Sequence, residues 1–167
     1  MIFEPALEAK AAALLAACRV HGLKLTAAES CTGGLVSGVL TAIPGASEVF
    51  EAGFVTYSNA AKTTAIGVDA AIIRRHGAVS EATARAMAEG ALAAAGADLA
   101  LAVTGIAGPA GGTAEKPVGL VHIAVARRGF ATRHRKLLLG DQPREIIRLR
   151  SVGEVLDLGL AQAETPA

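Results

Sequence analysis

The sequence predicts an α/β protein, a three-layer α/β/α sandwich built on a mixed central sheet. Three observations predict it. Helix-like and strand-like segments alternate along most of the chain. The run from Ala97 to Val103 is almost continuously apolar, as a strand covered on both faces must be. Finally, Val118–Ala126 and Ala131–Leu139 read as strands joined through Arg127-Arg128-Gly129, a hairpin that makes the sheet mixed rather than parallel.

Each element has its own signal. Pro5 to His21 repeats apolar residues at Leu7, Ala11, Leu14, Leu15 and Cys18, a helical stripe with Pro5 in the first turn and Gly22 as the stop. Leu23 to Ala28 is an apolar strand, and Leu35 to Ala42 a helix stopped before Pro44. Val49 to Tyr57 carries Val, Phe and Thr among small residues and reads as a strand. Ser58 and Asn59 are caps for a short helix that carries Lys62 and ends at Gly67; a second, Ala70 to Arg75, ends at His76-Gly77. Ser80 caps the Ala-rich helix Glu81 to Ala95, closed by Gly96. After Pro143 a last helix runs to about Leu160 with the stripe Ile146, Leu149, Val152, Leu156 and Leu160, and Gln162 to Ala167 are expected to fray.

Composition bounds the function. A chain of 167 residues is expected to form one domain, residues 1–167, with a substantial core. The hydrophobic share of 52% against 19% charged describes a compact chain rather than a disordered one. With aromatics at 3%, the core must be built of Ala, Val, Leu and Ile with backbones approaching closely. A net charge of +1 gives no reason to expect nucleic acid as a partner. No apolar run is long enough to span a membrane, and Glu4 and Glu8 interrupt any signal-peptide pattern, so the expected compartment is the cytoplasm. Cys18 and Cys31 form no disulfide framework, and His21, His76, His122 and His134 show no ligand spacing. Neither a metal nor a cofactor is expected, and His122, inside a strand, reads as a packed residue.

The chemistry gathers at two glycine-rich loops, each following a strand. The first is Thr26-Ala27-Ala28-Glu29-Ser30-Cys31-Thr32-Gly33-Gly34; the second is Thr104-Gly105-Ile106-Ala107-Gly108-Pro109-Ala110-Gly111-Gly112. Loops at strand ends are where open α/β sheets bind ligands, and two such loops at one edge point to a phosphate or nucleotide site. Neither matches a P-loop or a dinucleotide fingerprint. Ser30 stands before a helix and is either a nucleophile with oxyanion donors close by or a helix cap. Cys31 is the other conceivable nucleophile, or a small buried hydrophobe. Without a histidine partner Ser30 needs another base, and Lys62, just beyond Tyr57-Ser58-Asn59, is the best candidate if it is desolvated, and otherwise a solvated helix lysine. Glu29 either orients the turn or a substrate hydroxyl, or is a structural carboxylate.

Taken together these motifs resemble one family. The first loop is similar to the T-A-E-S-C-T-G-G run of the C-terminal domain of the competence/damage-inducible protein CinA, a family that includes stand-alone nicotinamide mononucleotide (NMN) deamidases. Gly53-Phe54-Val55-Thr56-Tyr57-Ser58-Asn59 with Lys62 resembles its second motif, and His76-Gly77-Ala78-Val79-Ser80 its third. Thr104 to Pro109, with Gly111-Gly112 and Lys116-Pro117-Val118-Gly119, resembles its fourth. The N-terminal domain that some members carry has no counterpart in this sequence.

The resemblance implies an α/β/α domain that hydrolyses the carboxamide of NMN to nicotinate mononucleotide and ammonia without a metal, in pyridine nucleotide recycling, and a homo-oligomer. It implies Ser30 as nucleophile, Lys62 as its base and Tyr57 nearby. Glu29, Thr32, Gly33 and Gly34 would contact substrate, the turn stabilising an oxyanion through its N–H groups. Thr104, Gly105 and Gly108 would belong to a loop whose N–H groups hold the phosphate. The family's Gly-Asp-Arg, whose arginine resembles a substrate-binding group, is replaced here by Gly140-Asp141-Gln142-Pro143-Arg144. Either Arg144 or Arg148 takes over from a shifted position, or the anchor is lost. Against an amidohydrolase acting on NMN stand a non-catalytic nucleotide-binding module and an amidase for a related pyridine or ribosyl substrate.

Overall fold

A computed structural model describes residues 2–167. In chain order the elements are α1 (Pro5–His21), β1 (Leu25–Glu29), α2 (Leu35–Thr41), a 3₁₀ turn (Ala46–Glu48), β2 (Phe50–Val55), α3 (Asn59–Ile66), α4 (Ala70–His76), α5 (Glu81–Ala95), β3 (Leu99–Gly105), β4 (Leu120–Arg127), β5 (Arg133–Leu138) and α6 (Arg144–Ala163). The five strands form one mixed sheet in the order β2-β1-β3-β4-β5. β1 runs parallel to β2 and β3, and the β3–β4 and β4–β5 pairs are antiparallel.

The alternation of side chains along β3 explains the three layers. Leu99, Leu101 and Val103 enter a core shared with α1, α2 and α6, whereas Ala100 and Ala102 enter a second core shared with α3, α4 and α5. β4 repeats the division, with Val121, Ile123 and Val125 on the first face and Ala124 and Ala126 on the second. One face is therefore large-residued and the other nearly all alanine. An alanine face lets the Ala-rich α5 lie close to the sheet through Ala84, Met87, Ala88 and Ala91. The shortage of aromatics is met by close approach rather than by bulk.

Helix starts follow the expected caps. Ser58 Oγ accepts from Ala61 N–H at 3.1 Å and Ser80 Oγ from Thr83 N–H at 3.1 Å. The end of the chain differs from expectation. α6 continues to Ala163, and Gln162 and Ala163 are buried rather than frayed. The reason lies in β4, where the Arg127 guanidinium donates to the carbonyls of Gln162 (2.8 Å), Ala163 (3.1 Å) and Thr165 (2.8 Å). A cation satisfying the orphan carbonyls of a helix C-terminus extends and holds it. The buried face of α6 also sits beside the expected stripe, since Ile147, Ser151, Val155 and Leu158 are buried with Val152 and Leu156, while Ile146 is exposed.

His122 is packed, as its strand position suggests. It is buried, its Nδ1 lies 2.8 Å from His134 Nε2, and His134 Nδ1 lies 3.0 Å from Glu81 Oε1. Among the described residues no helix is long and apolar enough to cross a membrane.

Candidate active site

Parallel pairing brings the carboxyl ends of β1, β2 and β3 to one edge of the sheet. Glu29, the last residue of β1, stands in register with Val55 of β2 and Val103 of β3. Ser30 follows β1, Thr56 to Ser58 follow β2, and the second glycine loop follows β3. A cleft of about 280 Å³ opens there, lined by Ser30, Cys31, Tyr57, Lys62, Ala78, Val79, Arg144 and residues of the Thr104–Gly111 loop. A wider groove of about 690 Å³ continues over the same loop; its walls include Thr113 and Asp141 but neither Ser30 nor Lys62.

Within the cleft, Lys62 Nζ lies 3.2 Å from Ser30 Oγ, 2.8 Å from Thr56 O and 3.5 Å from Ser58 O. The Lys62 side chain is fully buried, and burial lowers its pKa below the ordinary lysine value. A neutral amine has two hydrogens and one lone pair. With the hydrogens directed at the Thr56 and Ser58 carbonyls, the lone pair is left for the Ser30 hydroxyl. Cys31 also lines the cleft, but burial pushes its thiol up to about 11, which disfavours the thiolate a cysteine nucleophile needs. Of the two adjacent candidates, only Ser30 has a base at hand.

Several expected substrate contacts have other partners. Glu29 is fully buried, and its carboxylate accepts from Val36 N–H (2.8 Å), Ser37 N–H (3.0 Å) and the Ser37 hydroxyl (2.9 Å). The residue preceding α2 is Gly34, which has no side chain to cap with, and Glu29 caps the helix from the strand end instead. Of the readings the sequence left open, the geometry favours Glu29 as a structural carboxylate rather than a substrate contact, and it occupies the Val36 and Ser37 N–H groups at the start of α2.

Thr32, Gly33 and Gly34 do not line the cleft either. Thr32 is fully buried, and Gly33 N–H donates to Ser30 O at 3.0 Å. Gly33 and Gly34 have φ of 55° and 100°, a double left-handed turn that only glycine makes without strain. The backbone N–H of Cys31, the residue after Ser30, donates to no other residue's carbonyl and is a candidate donor for an oxyanion.

The far wall is built by the second glycine-rich loop. Thr104, Gly105 and Gly108 all line the cleft. Thr104 Oγ1 donates to Ala78 O at 2.8 Å, and Ile106 N–H is taken by Leu120 O, while the N–H groups of Ala107, Gly108, Ala110 and Gly111 have no partner among the described residues. Arg144 donates to Gly108 O (2.7 Å) and to the Tyr57 hydroxyl (3.0 Å), spanning the cleft from the first turn of α6. Tyr57, expected with Ser30 and Lys62 among the catalytic residues, lines the cleft beside them, and its hydroxyl accepts from Arg144 rather than bonding Ser30 or Lys62. Arg148 does not line the cleft: it donates to Cys31 O (3.0 Å) and Thr32 O (3.1 Å). Of the two arginines left open by the sequence, Arg144 is the one that lines the cleft.

The fold and the site define a class: an α/β/α domain with a serine–lysine pair at the carboxyl ends of its parallel strands. The profile of the CinA C-terminal domain family matches residues 7–162. A CinA-like protein of Anaeromyxobacter sp. (strain Fw109-5) is 48% identical over 157 residues, covering 94% of this chain and 38% of that protein. Another from Akkermansia muciniphila is 51% identical over 138 residues, covering 81% of this chain and 33% of its own length. The chain thus spans well under half the length of these curated relatives. Among solved structures, the competence/damage inducible protein CihA from Agrobacterium tumefaciens superposes with a TM-score of 0.95 at 45% identity, over 99% of each chain. The competence damage-inducible protein A from Klebsiella pneumoniae subsp. pneumoniae gives 0.89 at 35%, over 96% of this chain and 99% of its own. This chain belongs to the CinA C-terminal domain family.

Proposed function

We propose that the protein is a metal-independent amidohydrolase that converts the carboxamide of NMN to the carboxylate, releasing ammonia. The observation that carries the reading is the 3.2 Å contact between Lys62 Nζ and Ser30 Oγ, made by a buried lysine whose ammonium form is disfavoured. Ser30 Oγ attacks the carboxamide carbon as its proton passes to Lys62 Nζ. The carbonyl oxygen becomes an oxyanion and takes the Cys31 N–H. Collapse expels ammonia, which leaves with the proton from Lys62, and an ester on Ser30 remains. Water then attacks the ester, Lys62 accepts its proton and returns one to Ser30, and the carboxylate departs.

The character of the cleft supports an anionic substrate. No Asp or Glu lines it, because Glu29 is withdrawn beneath α2, while Arg144 lines it together with Ala107, Gly108, Ala110 and Gly111, whose N–H groups have no partner among the described residues. A phosphate bound there by charge and backbone donors would leave the pyridine carboxamide to reach Ser30. The test is ammonia release by the purified protein from a panel of carboxamide nucleotides and nucleosides. NMN is expected to be turned over, and nicotinamide riboside, lacking the phosphate, much less well. Equal turnover of the two would remove the phosphate from the assignment, and no turnover of any member would sink the reading.

A further inference from the structure

Arg144 and Arg148 stand one turn apart on the same face of α6 and do different things. Arg144 reaches the cleft. The Arg148 guanidinium instead donates Nε–H to Cys31 O (3.0 Å) and Nη2–H to Thr32 O (3.1 Å), the first two carbonyls after Ser30. Resting on the reading of Ser30 as nucleophile, we propose that Arg148 is a positioning residue that sets the loop presenting Ser30.

The argument begins with the peptide planes. In a trans peptide the C=O and N–H are fixed antiparallel, so holding the Cys31 and Thr32 carbonyls fixes the direction of Thr32 and Gly33 N–H. Gly33 N–H then closes a turn onto Ser30 O at 3.0 Å, which in turn fixes the Ser30–Cys31 peptide and with it Cys31 N–H. Arg148, Gly33 and Ser30 form one chain of constraints ending at the nucleophile and its oxyanion donor.

A second, independent observation comes from the glycine itself. A Cβ on Gly33 would meet Arg148 Nη2 at 3.2 Å, so the guanidinium packs against the bare side of the turn it holds. Opposite charges thus bracket the loop region. Glu29 takes the N–H groups at the start of α2, and Arg148 takes the carbonyls before it. The planar fork holds its two N–H groups in fixed directions towards adjacent carbonyls, whereas an ammonium's donors rotate freely on a flexible stem and hold neither direction as firmly.

The test measures nucleophile presentation separately from substrate binding. Ser30 is labelled with a fluorophosphonate and the modified peptide identified by mass spectrometry. NMN affinity is measured by calorimetry in the Ser30→Ala background, with and without Arg148→Gln. Arg148→Gln is expected to slow labelling roughly 10- to 100-fold, the scale of an ångström-sized misplacement, with NMN affinity held within about twofold. Should that variant not fold, Arg148→Lys, which keeps the charge and loses the fork, is expected to slow labelling in the same way with little change in Tm. Wild-type labelling rates in a folded variant would overturn the proposal. So would weakened NMN binding with labelling unchanged, which would make Arg148 a substrate contact. A wild-type protein whose Ser30 is never labelled would instead overturn the nucleophile assignment itself and take the positioning role with it.

Discussion

Lys62 Nζ meets Ser30 Oγ at 3.2 Å across 32 residues of sequence, because β1 and β2 are parallel neighbours whose ends the two residues follow. Ser30→Ala is accordingly expected to abolish ammonia release while NMN still binds. Cys31→Ala should keep most activity, its thiol being held neutral by burial. Loss of turnover in a folded Cys31→Ala protein, with Ser30→Ala active, would transfer the nucleophile to Cys31.

The base assignment makes a kinetic and a pH prediction. Lys62→Ala should lower kcat by about 100-fold or more, and Lys62→Arg should not rescue, since guanidinium stays protonated. Burial lowers the folded-state pKa, so the neutral amine appears at a pH below the ordinary lysine value. Activity should therefore rise with pH through one ionisation lying below 10.5 and level off above it. Stability should rise with pH in the window between that lowered pKa and 10.5, where the unfolded chain binds the extra proton. A pH–kcat profile without such a limb would count against Lys62 as the base.

Arg144→Ala should act on binding. A lost charge-assisted contact costs about 1.5–3 kcal/mol, and if made equally to ground and transition states that cost enters KM with kcat nearly unchanged. Tyr57→Phe removes only the hydroxyl that accepts from Arg144 and should raise KM less. A large fall in kcat for Tyr57→Phe, with KM intact, would restore Tyr57 to the chemistry.

Glu29→Gln should show in stability. One amide oxygen cannot replace a carboxylate that accepts three hydrogen bonds, so a loss of about 1–3 kcal/mol is expected in urea denaturation. Unchanged stability with a raised KM would return Glu29 to the substrate.

Acid should weaken the fold through His122. Burial, reinforced by His134, lowers its pKa from 6.5 to about 4. The stability held by the neutral form is complete above 6.5 and is lost as pH falls towards 4. Such a shift corresponds to roughly 3 kcal/mol at about 1.4 kcal/mol per unit. His122→Phe, measured by thermal melting across that window, should flatten the dependence; an unaltered slope would place the acid sensitivity elsewhere.

The sequence by itself determined the layers and the chemistry available. The alternation of Leu and Val with Ala in β3, the serine caps and the glycine punctuation are local signals, and local backbone preference and side-chain period suffice to read them. Ser30 and Lys62 were legible as candidates because each follows a strand end. Only the tertiary structure decided their partners. Glu29 is claimed by N–H groups of α2 because Gly34 leaves that helix uncapped, which reading either residue alone does not reveal. Tyr57 was drawn to Arg144 and Arg148 to the Ser30 loop because α6 docks against the strand ends, and the approach of a helix from 117 residues away in the chain leaves no periodic trace in the sequence. The same holds for the tail, where Arg127 of β4 holds carbonyls that composition alone would leave to fray. Polar partnership depends on which groups meet in space and on the cost of burying one unpaired, and both are settled only when the layers close.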